Sequence, residues 1–237
     1  MACRSPASSR RPSMKTLLLW DIDGTLLRNK GAGKRAMNRA FAKMTGEEGA
    51  FDSIDMAGGL DLNMIGGVFA RYGVDASRME EFLTLYYPCL EDVMRDGNSK
   101  LMPNVVQVLE RAERDARFYN AYGTGNVERG ARIKLEHFDL NRFFPVGGFC
   151  YGPVERWQLL QDGIERAQQH YGVEFAPERV IVIGDTLKDI EAARKIGAKV
   201  VAVGTGGHAY DVLAAAEPDL LLADMTDEER FFAFCSE

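Results

Sequence analysis

The residues best suited to chemistry in this chain are aspartates placed directly after apolar runs. Leu17-Leu18-Leu19-Trp20 leads into Asp21-Ile22-Asp23-Gly24-Thr25. Burying unpaired carboxylates is costly, so two acids at the end of such a run need something to meet. In an extended strand, residues two apart share a face, which points both carboxylates at one place. Two acids in different surroundings take different tasks, one as a nucleophile and the other giving and taking a proton. Gly24 permits a tight turn or a close backbone approach. A strand ending in an Asx-type turn also accounts for this segment taken alone.

The pattern recurs at Ile183-Gly184-Asp185-Thr186-Leu187-Lys188-Asp189, where a second acid follows the first by one helical turn. Hard oxygen donors of this kind suit Mg²⁺, which takes one or two carboxylates and keeps other positions for water and phosphate. A helix N-cap at Asp185 with an exposed Asp189 explains this segment in isolation, but not its recurrence beside Asp21. Thr124-Gly125-Asn126 follows a further apolar run and precedes a helix expected over residues 127–138. Backbone N–H groups at such a junction bind anions, and the threonine hydroxyl adds a donor.

These acids need a scaffold that brings them together. Strand-like runs fall at residues 16–20, 118–122, 180–183, 200–203 and, more weakly, 220–222. Between them, Trp157, Leu160, Ile164, Ala167 and Tyr171 recur at helical spacing and end at Gly172, while Ile190, Ala193 and Ile196 end at Gly197. Alternating strands and helices predict an α/β fold with a parallel sheet covered on both faces. Ligands in such sheets bind outside the carboxyl ends of the strands, so Asp21, Thr124 and Asp185 share one rim. Residues 28–101 break the rhythm. Met37, Ala40, Phe41 and Met44 form one helical stripe, ended by Gly46; Ile65, Val68, Phe69 and Tyr72 form another, ended by Gly73. Ser77-Arg78-Met79-Glu80 predicts a capping box opening a third helix, which Pro88 is expected to kink or break. The expectation is a core of residues 15–27 and 102–237 carrying an inserted α-helical cap over residues 28–101. Residues 1–14, basic and rich in Ser, Arg and Pro, read as a disordered tail.

With 237 residues, 46% of them hydrophobic, the chain can bury a substantial core. A net charge of -6 argues against nucleic acid or an anionic membrane as partner. No apolar run approaches membrane-spanning length, and four scattered cysteines without a CxxC read as reduced thiols of a cytoplasmic protein. A monomer and a homodimer are both open.

Taken together, these segments resemble the haloacid dehalogenase superfamily, whose members are mostly Mg²⁺-dependent phosphatases. Asp21 to Thr25 match its first motif, Thr124 the second, Arg156 at an expected helix start the third, and Gly184-Asp185 with Asp189 the fourth. A helical insertion after the first motif resembles the subgroup containing phosphoglycolate phosphatase and β-phosphoglucomutase. The resemblance implies a Rossmann-like core and hydrolysis of a small phosphorylated metabolite through an aspartyl-phosphate on Asp21. Asp23 is then the proton donor and acceptor, and Mg²⁺ is held by Asp21, the Asp23 carbonyl and Asp185, with Asp189 in support. Gly24, Thr25, Thr124, Gly125, Asn126 and Arg156 would surround the phosphoryl group. Lys134 is the alternative source of the third motif's positive charge. Asn120 stands where relatives keep an apolar residue. Lys34 and Arg35 are candidates for the substrate's remote end, with a solvated helix face as the other explanation. The same residues would serve a phosphomutase, or a non-catalytic metabolite-binding protein on the same scaffold. A true dehalogenase is disfavoured by Asp23, which those relatives lack.

Overall fold

The computed structural model describes residues 15–152 and 154–237, so the expected tail lies outside the described residues. Strands β1 (Thr16–Trp20), β4 (Phe118–Gly123), β5 (Gly147–Gly148), β6 (Val180–Gly184), β7 (Lys199–Val203) and β8 (Leu220–Leu222) form one parallel sheet in the order β5-β4-β1-β6-β7-β8. Five of these coincide, within a residue or so, with the expected runs. β1 is central, flanked by β4 and β6, and every one of its residues is buried. Its side chains alternate between two cores, as period-two geometry requires. Leu18 and Trp20 join α4 (Val105–Arg114), α5 (Glu128–Glu136) and α9 (Glu228–Cys235) on one face; Leu17 and Leu19 join α6 (Arg156–Tyr171), α7 (Leu187–Lys195) and α8 (Tyr210–Ala215) on the other. Each such buried side chain contributes about 1.5–3 kcal/mol of transfer free energy. Asn120 has its own reason to be in the sheet: its Oδ1 accepts from the buried Trp20 indole N–H at 2.9 Å.

β5 was not expected from the sequence, because two glycines have no side chains to show a period. They stand there because α6 crosses at backbone contact: a Cβ on Gly148 would lie 1.7 Å from the Leu159 carbonyl oxygen. Likewise unexpected is a two-stranded ribbon, β2 (Leu27–Arg28) with β3 (Lys100–Leu101), paired antiparallel where the chain leaves and re-enters the sheet layer.

Between the two ribbon strands lie α1 (Ala32–Thr45), α2 (Asp61–Tyr72) and α3 (Met79–Met94), gathered around a third apolar cluster. Left-handed glycines 46, 73 and 172 end α1, α2 and α6 as expected. One local expectation fails and another is narrowed. Asp75, rather than Ser77, provides the cap, its carboxylate accepting from Ser77 N–H at 2.8 Å ahead of a short 3₁₀ turn. The α3 helix is not broken at Pro88, which lies inside it. An interior proline costs about 3 kcal/mol. Against that cost, α3 buries Phe82, Leu83, Tyr86, Cys89, Leu90 and Val93, with Phe82 packed on Phe41, Phe51 and Phe69.

Candidate active site

Asp21 follows β1 and Asp185 follows β6, and because those strands are neighbours the two acids meet. Asp189, in the first turn of α7, completes a buried trio with one ligating oxygen from each within 4.8 Å of the others. Backbone geometry admits Asp185 to this spot. Gly24 has φ +95°, and a Cβ there would sit 2.4 Å from Asp185 Oδ2; one on Gly206 would sit 1.8 Å away. Asp185 Oδ2 accepts from Gly207 N–H at 2.6 Å and Oδ1 from the Thr25 hydroxyl at 3.2 Å. The structure therefore aims Thr25 at a carboxylate, where the sequence pointed it at phosphate.

Asp189 is fully buried, which removes the exposed-acid alternative. Its Oδ2 accepts from both the N–H and the hydroxyl of Thr186 at 3.0 and 2.6 Å, a capping box opening α7. Its Oδ1 accepts from Arg156 Nε at 2.8 Å. With both oxygens engaged, Asp189 is built to fix its neighbours. Arg156 begins α6 behind a Glu155–Gln158 capping box. Its Nη2 lies 2.6 Å from Asp189 Oδ1 and 3.0 Å from Asp21 Oδ1, yet aligns a hydrogen bond with neither. A buried guanidinium nitrogen thus stands between the two acids, within ion-pair distance of both.

Asp23 turns the other way. Lys134 Nζ lies 2.5 Å from its Oδ2, Asn126 Nδ2 donates to the same oxygen at 2.9 Å, and Asn29 Nδ2 donates to Oδ1 at 2.5 Å. Lys134 also reaches Asn126 Oδ1 at 2.5 Å. Both candidate cations reach an acid of the crevice, Arg156 lying beside Asp21 and Lys134 beside Asp23. Thr124 is fully buried, and its hydroxyl accepts from Asn126 Nδ2 at 2.8 Å, leaving its own proton to donate. Asn29 and Asp61 were missed from the sequence. Asn29 sits six residues beyond Asp23, and only the turn into β2 folds it back. Asp61 starts α2, donates its N–H to Gly125 O at 2.8 Å and accepts from Val127 N–H at 2.9 Å, tying α2 to the segment just ahead of α5.

Electrostatics separate the carboxyls. Burial raises the Asp21 pKa to about 6 against the pull of Arg156. Burial, with repulsion from Asp21 and Asp189, raises Asp185 to about 8. Burial opposes ionisation of Asp23 too, but Lys134, Asn126 and Asn29 outweigh it and hold its pKa below the usual range. Crowded carboxylates that resist ionisation are what a bound divalent cation relieves, and an all-oxygen donor set fits Mg²⁺. Asp21, Asp23, Gly24, Gly125, Asn126, Arg156 and Asp185 line one crevice of about 510 Å³; Thr25, Thr124 and Asp189 stand behind its wall. A larger cavity of about 880 Å³ between α3 and α5 contains none of these acids.

Asp61 supplies a pH test. Burial raises its pKa to about 6, with Lys134 opposing. A raised carboxyl stabilises the fold fully below its unfolded value near 3.8, and that contribution is lost as pH climbs through about 6. Asp61→Asn keeps an acceptor for Val127 without the charge. Thermal melts are expected to show wild-type and variant alike at pH 4, with the variant more stable at pH 8 by on the order of 2 kcal/mol, given about 1.4 kcal/mol per pKa unit.

Known proteins bear on this geometry. The sequence profile of a family described as haloacid dehalogenase-like hydrolase matches residues 18–203. Pyrophosphatase PpaX of Bacillus mycoides is 24% identical over 220 residues, covering 89% of this chain and 93% of that protein. Among solved structures, CbbY from Rhodobacter sphaeroides in complex with phosphate superposes with TM-score 0.68 at 20% identity, covering 90% of this chain and 96% of that one. A predicted phosphoglycolate phosphatase from Haemophilus somnus gives TM-score 0.66 at 18% identity, covering 92% and 98%. No helix among the described residues is long and apolar enough to cross a membrane.

Proposed function

This chain belongs to the haloacid dehalogenase-like hydrolases, and from that premise we propose that it is a Mg²⁺-dependent phosphatase of small phosphorylated metabolites working through an aspartyl-phosphate. The observation that carries the reading is the meeting of Asp21 and Asp185 oxygens, within 4.8 Å, beside the buried Arg156. The phosphatase activity is in keeping with the names of the relatives.

Asp21 Oδ attacks phosphorus in line while the ester oxygen departs. Asp23 protonates that oxygen, then accepts a proton from the water that cleaves the acyl phosphate and returns Asp21. A phosphate dianion arriving beside Asp23 shares the Lys134 charge and favours the protonated, donating form. Arg156 Nη2 and the Gly125 amide meet the charge spread over the phosphoryl oxygens, with the Thr124 hydroxyl behind them holding the Asn126 amide. Asp21, Asp185 and the Asp23 carbonyl would hold Mg²⁺, with Asp189 fixing Arg156 and the start of α7. When bound, the ion supplies charge neutralisation that lets an anionic nucleophile approach an anionic phosphate.

Release of inorganic phosphate from 4-nitrophenyl phosphate with Mg²⁺, abolished by EDTA, tests the reading; turnover indifferent to chelation overturns it. Metal binding has a second readout. Mg²⁺ at about 100 times its Kd is expected to stabilise the fold by about 2.7 kcal/mol, a rise of roughly 5–10 °C in Tm for a chain of this size. An Asp185→Ala variant should lose that rise.

A further inference from the structure

One side chain in the cap carries a polar atom that packing does not explain. Tyr86 of α3 is fully buried, its ring stacked on Phe82 at 6.2 Å, and among the described residues nothing hydrogen-bonds its hydroxyl. The other rings packed on Phe82 are phenylalanines, Phe41, Phe51 and Phe69. Phenylalanine would fill the place of Tyr86 without burying an unmet hydroxyl, which is destabilising. Burial, reinforced by the Asp61 and Asp23 carboxylates, holds the phenol far above its ordinary pKa, so it stays a neutral hydroxyl. Its oxygen reaches out of the cap to α5. A Cβ on Gly130 would lie 3.7 Å from it, and one on Gly33 of α1 would lie 3.9 Å from it and 3.6 Å from Lys134 Nζ. The phenol oxygen and the buried ammonium thus lie against the same glycine.

Lys134 has both a reason and the means to move. Its ammonium carries three N–H donors. Two are met by Asp23 Oδ2 and Asn126 Oδ1. Asp23 in turn is fully engaged, Oδ2 accepting from Lys134 and Asn126 and Oδ1 from Asn29. To serve a leaving oxygen, Asp23 has to give up one of these bonds. Asn126 is fixed by the Thr124 hydroxyl and Asn29 by the Ala32 N–H, whereas a lysine has a flexible four-carbon stem. An ammonium that lets go of a carboxylate inside the protein needs another acceptor, and the unused Tyr86 oxygen shares its neighbourhood.

We propose that when Asp23 turns to the leaving oxygen, Lys134 shifts one N–H from Asp23 to the Tyr86 hydroxyl, making Tyr86 a positioning residue that the cap contributes to the acid–base step. Lys134 and Tyr86 both keep their protons; only the acceptor of one N–H changes. The proposal rests on the phosphatase reading of the site, and two readouts of Tyr86→Phe, one of them without turnover, keep the two apart. The first is thermal melting of the full chain in EDTA. Alone, Tyr86→Phe is expected to leave Tm unchanged or raise it, because the lost hydroxyl has no partner. In Asp23→Ala the ammonium has already let go, so adding Tyr86→Phe should lower Tm by about 4 °C or more. The second readout is hydrolysis, with Mg²⁺, of benzyl phosphate and of 4-nitrophenyl phosphate. The benzyl alkoxide must be protonated as it leaves, whereas the nitrophenolate departs with little help. Tyr86→Phe should lower kcat about tenfold for benzyl phosphate and less than about threefold for the aryl ester, with KM within about threefold for both. A purely structural role would move both esters alike. A Tm change of the same sign and size in the two backgrounds overturns the proposal, and so does an equal effect on the two esters. Should Asp23→Ala not fold, the contrast between esters decides. If the wild type hydrolyses neither ester, the phosphatase reading fails and the melts alone decide whether Tyr86 takes up Lys134. If both esters are hydrolysed and the melts show no reversal, the phosphatase stands and the role of Tyr86 falls.

Discussion

Asp21→Asn is expected to lower Mg²⁺-dependent phosphate release by at least about 10⁴-fold while leaving the protein folded, a loss of roughly 5.5 kcal/mol in transition-state stabilisation. An amide cannot form the acyl phosphate, and no neighbouring group replaces it: Asp185 is held by Thr25 and Gly207, and Asp189 by Thr186 and Arg156. The fold should tolerate the change. Asp21 sits in a trio whose burial and mutual repulsion raise its pKa to about 6, so removing one negative charge relieves strain in the metal-free protein. A Tm equal to or above that of the wild type, together with lost turnover, separates loss of the nucleophile from loss of structure. Retention of more than about one hundredth of the activity excludes Asp21 as nucleophile, because even damaged triads of acting residues lose more than that.

Arg156→Met is expected to have the largest effect on stability. The guanidinium is 7% exposed and stands between Asp21 and Asp189. Burial works against its charge, but the two carboxylates outweigh this and keep it firmly protonated. Removing one partner of a buried ion pair leaves uncompensated charge and costs about 3–5 kcal/mol, which for a chain of this length is a fall of roughly 10 °C in Tm. Arg156→Lys should fall in between, since one ammonium cannot present an Nε to Asp189 and an Nη2 toward Asp21 at once. Thermal melts in EDTA isolate this effect from metal binding. A Tm within about 2 °C of wild type would show that the acids are stabilised by something other than this pair.

The Asp61 clasp places α2 in the same electrostatic system. Its carboxylate accepts from Val127 just ahead of α5, and α5 supplies Lys134, which holds Asp23. Helix α2 is therefore connected to the crevice acids by hydrogen bonds through α5.

Much of this was legible in the residues alone. Strands β1, β6, β7 and β8 announce themselves because a strand buried on both faces reads as a near-continuous apolar run, and β4 does so despite Asn120, whose side chain the Trp20 indole satisfies. Helices ended by Gly46, Gly73 and Gly172 do so because a left-handed C-cap favours glycine at one local position. Acids directly after such strands must lie on the carboxyl rim of a parallel sheet, so Asp21 and Asp185 share an edge by topology. All of these are consequences of neighbours in sequence. The tertiary structure decided what depends on neighbours in space. β5 is two glycines chosen by the Leu159 carbonyl that passes over them, and α3 survives Pro88 through contacts made by helices distant in the chain. That Arg156 reaches the buried Asp21 while Lys134 reaches the half-buried Asp23 could be read only from the tertiary structure. Local pattern carries backbone preference and burial. A side chain's partner is set by the three-dimensional packing that brings residues more than a hundred positions apart to within hydrogen-bond distance, as at Lys134 and Asp23.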